Sequence, residues 1–308
     1  MFVAKDFIET AEGLVFAVVG QGMEADKVLC FLRYVPHQDS WRKVDTDVAN
    51  DFLKQHHPHY LHYSQVLDAH LHAVSKEKIS KHHQPKQRFQ QLLQADNHDP
   101  VEQDLLSLAI LFQQHGLNLA NIGITGSLLI GVQKQSSDID VVCYGRDVFH
   151  QCRAVTAGLI ADGKLQDLTD RDWQDSYNRR DCELSFDEYV WHEQRKANKA
   201  MINGRKFDLN FICNQTIDHV EGYQKVGPIT LQCQVIDDTY GFDYPAEFKI
   251  DHEHIISIVS FTATYTGQAL CGETVLVSGM LEQSSQGHQR IVVGSSREAR
   301  GEFIKVLS

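Results

Sequence analysis

The sequence predicts an α+β protein, with a mixed sheet and flanking helices in its middle and a β-rich, barrel-like domain at its end. Three observations carry this expectation. Between residues 100 and 215, helical and strand periodicities alternate. After residue 216 the chain turns to short runs of Val, Ile and Thr, punctuated by Gly267, Gly272, Gly279 and Gly287. Before residue 97, two strand-like runs precede a polar, His-rich stretch. These changes of texture predict three domains, 1–97, 98–215 and 216–308. A chain of 308 residues suits more than one core, because single cores stop growing near ~250 residues.

In the first zone, residues 14–19 and 27–35 read as strands joined by a turn at Gly20 and Gly22. From Asp47 to Leu93 the polar texture predicts helix, broken by Pro58 and Pro85, and 97–100 predicts a loop. Pro100 and Glu102 open a helix whose apolar face is Leu105, Leu108, Ala109 and Phe112, with Gly116 as its stop. A strand at 121–125, a Gly-Ser turn, a short helical piece, a strand at 138–144 and a helix at 147–161 follow. Ser185, with Glu188 three residues on, predicts a capped helix running to Met201. Asn203-Gly204 predicts a turn into a strand at 206–213, and 229–236, 255–265, 274–281 and 290–293 predict the antiparallel strands of the last zone.

Composition narrows the function classes. The net charge of −12 argues against broad, sequence-blind gripping of nucleic acid by its backbone. The seven cysteines form no C-x-x-C pair, which argues against a disulfide framework or zinc ribbon and predicts a reducing, cytoplasmic setting. No basic-then-apolar leader opens the chain, and no run approaches the ~20 apolar residues of a membrane span, so no membrane role is expected.

The residues that carry chemistry lie in the middle zone. Asp138 and Asp140 are two apart in an apolar, β-branched run, so on a strand both carboxylates share one face, ~7 Å apart, while Ile139, Val141 and Cys143 point into a core. Two such acids repel, and a hard divalent cation with oxygen ligands relieves that repulsion. Asp208 lies in a second alternating run with Phe207, Leu209 and Phe211 opposite; if its strand pairs with the Asp138 strand, it reaches the same ions. Gly126 allows close backbone approach and Ser127 adds a hydroxyl, a pair suited to phosphate.

An apolar strand, Gly126-Ser127, ten intervening residues, Asp138-x-Asp140 and a later Asp208 together resemble the DNA polymerase beta-like nucleotidyltransferase superfamily. The match covers about residues 100–215, and the whole chain also looks like a group of predicted nucleotidyltransferases found mainly in archaea. The resemblance implies a nucleotidyltransferase mixed sheet, two Mg²⁺ ions (or Mn²⁺) on Asp138, Asp140 and Asp208, and a nucleoside triphosphate on Gly126 and Ser127. Asp208 would also help deprotonate an acceptor hydroxyl. The expected activity is transfer of a nucleoside monophosphate to a hydroxyl with release of pyrophosphate; the acceptor, whether RNA, protein or small molecule, is not legible. The alternative is a nucleotidyltransferase fold that binds nucleotide or RNA without turnover. A third reading is the nucleotide-transferring half of a toxin–antitoxin pair.

Other features read as ordinary surface. His56, His57, His59 and His62 could bind zinc, with His70, His72, His82 and His83 nearby, yet no Cys or acidic ligand completes a site, so a polar helical surface is expected. His252 and His254 read the same way. Arg171, Arg179, Arg180, Arg195, Lys196, Lys199, Arg205 and Lys206 either hold an anion or pair with neighbouring acids. Arg297 and Arg300 lie in a polar segment that reads as a hairpin loop.

Overall fold

The computed structural model describes residues 1–20, 23–64, 69–180, 182–213, 222–295 and 299–307. It is a mixed α+β chain that divides into two compact units, Met1–Gln166 with Ala200–Thr216, and Asp167–Lys199 with Ile217–Ser308. The boundary expected at residue 97 therefore falls inside the first unit, and residues 167–199 join the C-terminal zone.

The first unit opens with β1 (Phe7–Thr10), β2 (Val15–Val18), β3 (Lys27–His37) and β4 (Ser40–Lys43). Then come α1 (Thr46–His56), β5 (Leu61–Ser64), β6 (Ala69–Ser75), β7 (Ile79–His83) and α2 (Pro85–Gln94). Among the described residues the seven strands form one sheet in the order β5-β6-β3-β2-β1-β7, with β4 on β3. Strict alternation of buried and half-buried residues along most of β3 follows from its two-residue period. Asp45 caps α1 by accepting from the Val48 amide, and Ala49 and Leu53 on the buried side of that helix join Ile8, Phe16, Leu32 and Val74 in one core.

The helix expected over 47–93 is confined to α1 and α2; β5, β6 and β7 lie between them. Histidine misled the reading, because it was counted as polar surface. In β6, His72 is 1 % exposed, its Nδ1 accepts from the Leu32 amide (2.9 Å) and its Nε2 lies 2.8 Å from Asn50 Oδ1. Burial pushes this imidazole down to about 4, so it is a neutral core residue. Gly22, half of the expected turn before β3, lies outside the described residues.

The chain continues through α3 (Pro100–Gln114), β8 (Ile122–Thr125), α4 (Ser127–Ile130), β9 (Ile139–Tyr144) and α5 (Arg146–Ala161). It then passes α6 (Asp170–Arg180) and α7 (Phe186–Arg195), and reaches β10 (Lys199–Ile202) and β11 (Arg205–Ile212). A four-stranded sheet, β10-β11-β9-β8, results, with β11 parallel and β8 antiparallel to β9. Asp99 and Glu102 form the capping box of α3. A Cβ on Gly123 of β8 would lie 2.7 Å from the Pro85 carbonyl carbon, so only glycine lets α2 pack this close. That approach ties the N-terminal zone to the β8–β9 sheet. The capping box of α7 forms as expected from Ser185 and Glu188, but the helix stops at Arg195 rather than Met201. Ala197 turns the backbone to φ 48°, and the alternating Lys-Ala-Met-Ile run starts a strand.

The second unit holds α6, α7 and β12 (Tyr223–Asp237), β13 (Ala246–Asp251), β14 (Ile255–Ser260), β15 (Thr274–Ser284), β16 (Gln289–Val293) and β17 (Phe303–Val306). The sheet order is β12-β13-β14-β16-β15-β17, and β12 also pairs with β15 from Tyr223 to Gln234. Antiparallel pairing was expected throughout; β14 and β16 run parallel. Trp173 and Tyr189, from the two helices, pack with Phe248, Ile258, Val275 and Val277 from the strands. Among the described residues no helix is long and apolar enough to cross a membrane.

Candidate functional site

The first unit brings Asp140 and Asp208 onto neighbouring strands. In the parallel pairing of β11 with β9, Asp208 stands in register with Asp140, on strands ~4.8 Å apart. Asp138 immediately precedes β9 and is exposed. Ile139, Val141 and Cys143 are at most 1 % exposed, as is Phe207, the register partner of Ile139, and Leu209 beside Val141 is also buried. The conditional step in the sequence reading, that the two acid-bearing strands pair, is thus an observed feature of the sheet.

The Gly-Ser turn sits directly beside Asp140. Thr125, the last residue of β8, is in register with Asp140, and Gly126 follows with φ 68° and ψ −144°, a conformation almost reserved for glycine. A Cβ on Gly126 would lie 2.3 Å from Asp140 Oδ2. The glycine therefore makes room for a carboxylate. Gly126→Ala is expected to displace the Asp140 side chain and to add roughly 1–2 kcal/mol of backbone strain. A fall in melting temperature of only a few degrees, with the Asp140 carboxylate displaced in a crystal structure of the variant, is the expected result; an unmoved Asp140 would refute this role.

Ser127 begins α4, and the helix is held from two sides. Arg88 Nε donates to the Leu128 carbonyl (3.1 Å) while its Nη2 donates to Glu102 Oε1 (3.0 Å). Leu129 packs with Phe7, Val15 and Tyr34 of the N-terminal sheet.

That sheet also contributes a residue the sequence reading missed. Lys5 precedes β1 with φ 72°, its carbonyl accepts from Thr125 Oγ1 (2.8 Å), and its Nζ donates to Asn210 Oδ1 (3.0 Å). Burial lowers the pKa of Lys5, against the pull of Asp140 and Asp208. The Asp140 carboxyl is pushed up to about 6, first by burial and then by Asp208, with Asp138 adding to the rise and Lys5 and Lys43 opposing it. Nothing in the sequence marks Lys5, since one lysine before a strand has no pattern; only the third dimension sets it beside the acids.

Arg205, at the start of β11, is not free to hold an anion. Its Nε donates to Asp104 Oδ2 (2.7 Å), and its Nη1 donates to the carbonyls of Gln135 (2.6 Å) and Ser137 (2.8 Å). It clamps the loop that delivers Asp138. Arg195, Lys196 and Lys199, in the second unit, are engaged by Glu273 and Glu193. These members of the basic zone serve structure. Arg297 lies outside the described residues.

The chain belongs to the same family as the uncharacterized protein MJ1086 of Methanocaldococcus jannaschii, to which it is 32% identical over 335 aligned positions covering 98% of each chain. No family model matches the chain, and no solved structure matches it.

Proposed function

We propose that this protein is a Mg²⁺-dependent nucleotidyltransferase of polymerase beta-like type. One observation carries the reading: Asp208 and Asp140 stand in register on adjacent parallel strands, with the bare Cα of Gly126 beneath the Asp140 carboxylate. The donor set suits the ion, because it is all oxygen, and because crowding of Asp140 by Asp208 and Asp138 is the repulsion that a hard divalent cation relieves. Asp138, Asp140 and Asp208 would hold the metal, Mg²⁺ or Mn²⁺. Bound there, it would supply charge neutralisation for the triphosphate and the departing pyrophosphate.

The chain's own residues account for the remaining roles. Gly126 and Ser127 seat the phosphates, and Arg88 keeps α4 in place through the Leu128 carbonyl. Asp208 accepts the proton of the acceptor hydroxyl. The hydroxyl oxygen bonds to the α-phosphorus while the bond to the β-phosphate oxygen breaks, and pyrophosphate leaves with that electron pair. Lys5, fixed by Thr125 and Asn210, balances the acids' charge. In the second unit the pairings run β12-β13-β14-β16-β15 and return to β12, which we read as a small barrel accompanying the transferase. A cytoplasmic location is part of the same reading, supported by seven free cysteines.

The same Lys5 favours a second reading, nucleotide binding without turnover, since an ammonium already opposes the acids' charge. Titration with each labelled nucleoside triphosphate, with and without Mg²⁺, followed by assay of pyrophosphate release with total RNA or cell extract, separates the two. Mg²⁺-dependent binding and release that vanish in Asp208→Asn are the expected result. Binding without release, with or without Mg²⁺ and whatever acceptor is offered, supports the second reading, and absence of nucleotide binding refutes both.

A further inference from the structure

The His-rich segment lacks a local acid, but the fold supplies one from far upstream. Glu12, in the turn between β1 and β2, comes against His57 and His59, which flank Pro58 after α1, and one potential ligand atom from each residue lies within 4.8 Å of the others. We propose that Glu12, His57 and His59 form a Zn²⁺ site with an open fourth position. It is separate from the carboxylates of β9 and β11 and independent of the transferase reading.

The turns that carry the three residues are built from buried anchors. Tyr60, 1 % exposed, packs edge-on against Phe16 (5.2 Å) and donates its hydroxyl to Glu12 Oε2 (3.1 Å). One ring thus fixes the histidine turn and orients the acid, the kind of outer hydrogen bond that metal-ligating carboxylates use. Trp41 Nε1 donates to the Gly13 carbonyl (2.8 Å), which pins the β1–β2 turn beside Glu12. The Pro58 ring restricts both its own φ and the preceding His57, and the Tyr60 amide donates to the His57 carbonyl (3.1 Å). His57 is half-buried, and His59 and Glu12 are exposed, so ions reach the site from solvent.

The donor chemistry selects the ion. Two imidazoles and one carboxylate suit Zn²⁺, whereas Mg²⁺ takes oxygen ligands and keeps its water. Tetrahedral Zn²⁺ needs neighbouring ligand atoms roughly 3.3 Å apart at its ~2.0–2.1 Å bond lengths. The present spacing, within 4.8 Å, must close by up to about 1.5 Å to reach that.

The test is Zn²⁺ titration of the chelator-stripped full chain in millimolar Mg²⁺, read by calorimetry and by Co²⁺ absorption as a probe of low coordination number. One equivalent is expected to bind. His57→Ala and His59→Ala should each weaken it by more than the ~10–100-fold typical of losing an outer-shell partner, and Tyr60→Phe by about tenfold. Asp140→Asn should leave it unchanged. Metal-free melting of His59→Ala should match the parent chain, because the ring is exposed, so loss of binding in that variant reports ligation. Binding only at millimolar Zn²⁺, or an affinity in the His57 and His59 variants equal to that of the parent chain, would overturn the site.

Discussion

Asp140→Asn is expected to remove Mg²⁺-dependent transfer while raising the melting temperature of the metal-free protein. The two effects have one cause. Asp140 is crowded by burial, by Asp208 across the strand pair and by Asp138, and its folded carboxyl sits at about 6 against an ordinary 3.8. For an acid raised on folding, the native state binds the proton more tightly than the unfolded chain. The penalty is therefore absent below about pH 4, grows as pH rises to about 6, and is fully present at neutral pH. A shift of this size corresponds to roughly 2–3 kcal/mol, and asparagine, nearly the same shape and uncharged, escapes it. Loss of the attraction to Lys5 subtracts from that gain, although Lys5 keeps its hydrogen bond to Asn210. A net rise of about 2–6 °C in chelator at neutral pH is the expected outcome. Adding Mg²⁺ should stabilise the parent chain and leave the variant unmoved, by mass action on the folded state alone. Scanning calorimetry with and without Mg²⁺ checks both halves. If the variant melts several degrees lower in chelator and still responds to Mg²⁺, Asp140 belongs to a structural ion network and not to a metal site.

Why the acids were legible in the sequence and Lys5 was not follows from the range of the interactions. The strand period is local: Asp138-x-Asp140 and Asp208-x-Asn210 each alternate with residues that are buried on the opposite face, so the face of each acid could be read directly. Their pairing required only that two such strands be neighbours, which the sheet bears out. Lys5 reaches the acids through a turn before β1 and a hydrogen bond from Thr125, a contact between segments with no shared pattern. The same limit hid Glu12, which meets His57 and His59 only because β1, β2 and α1 share one core. The strands β5 to β7 were lost for a different reason. Their histidines were counted as solvated, yet His72 is sealed by the Leu32 amide and Asn50, while His82 and His83 lie against Asp6 (2.7 Å) and Glu9 (3.1 Å). The division into units was hidden too, because the close approach at Gly123 turns on one absent methyl group.

The largest effect on stability is expected from Glu193, in the second unit and away from any proposed chemistry. Its carboxylate is 4 % exposed and faces the ammonium groups of Lys196, itself 2 % exposed, and Lys199. Lys196 Nζ also donates to the Thr264 carbonyl (2.7 Å), which ties α7 to the turn after β14. Burial alone would raise the Glu193 pKa; the two lysines outweigh it and hold the group down at about 2. The sign follows. An acid depressed on folding contributes stability that is present above its ordinary 4.5 and is lost as pH falls through about 2. Removing the charge with Glu193→Gln leaves buried ammonium groups without this counter-charge, and about 3–5 kcal/mol is the expected loss. The variant should also change its alkaline behaviour. Lys196 is lowered to about 8 by burial, with Glu193 opposing the fall. Without that carboxylate its folded pKa drops further, so the variant should regain stability as pH rises through neutrality, a slope the parent chain shows only above about 8. Urea unfolding followed by the fluorescence of Trp173, which shares the core of this unit, reads the effect. A second variant, Glu193→Met with Lys196→Met, separates charge from packing. Recovery of most of the lost stability would mark the pair as a charge that is tolerated because it is matched, whereas no recovery would assign its role to the hydrogen bond with Thr264.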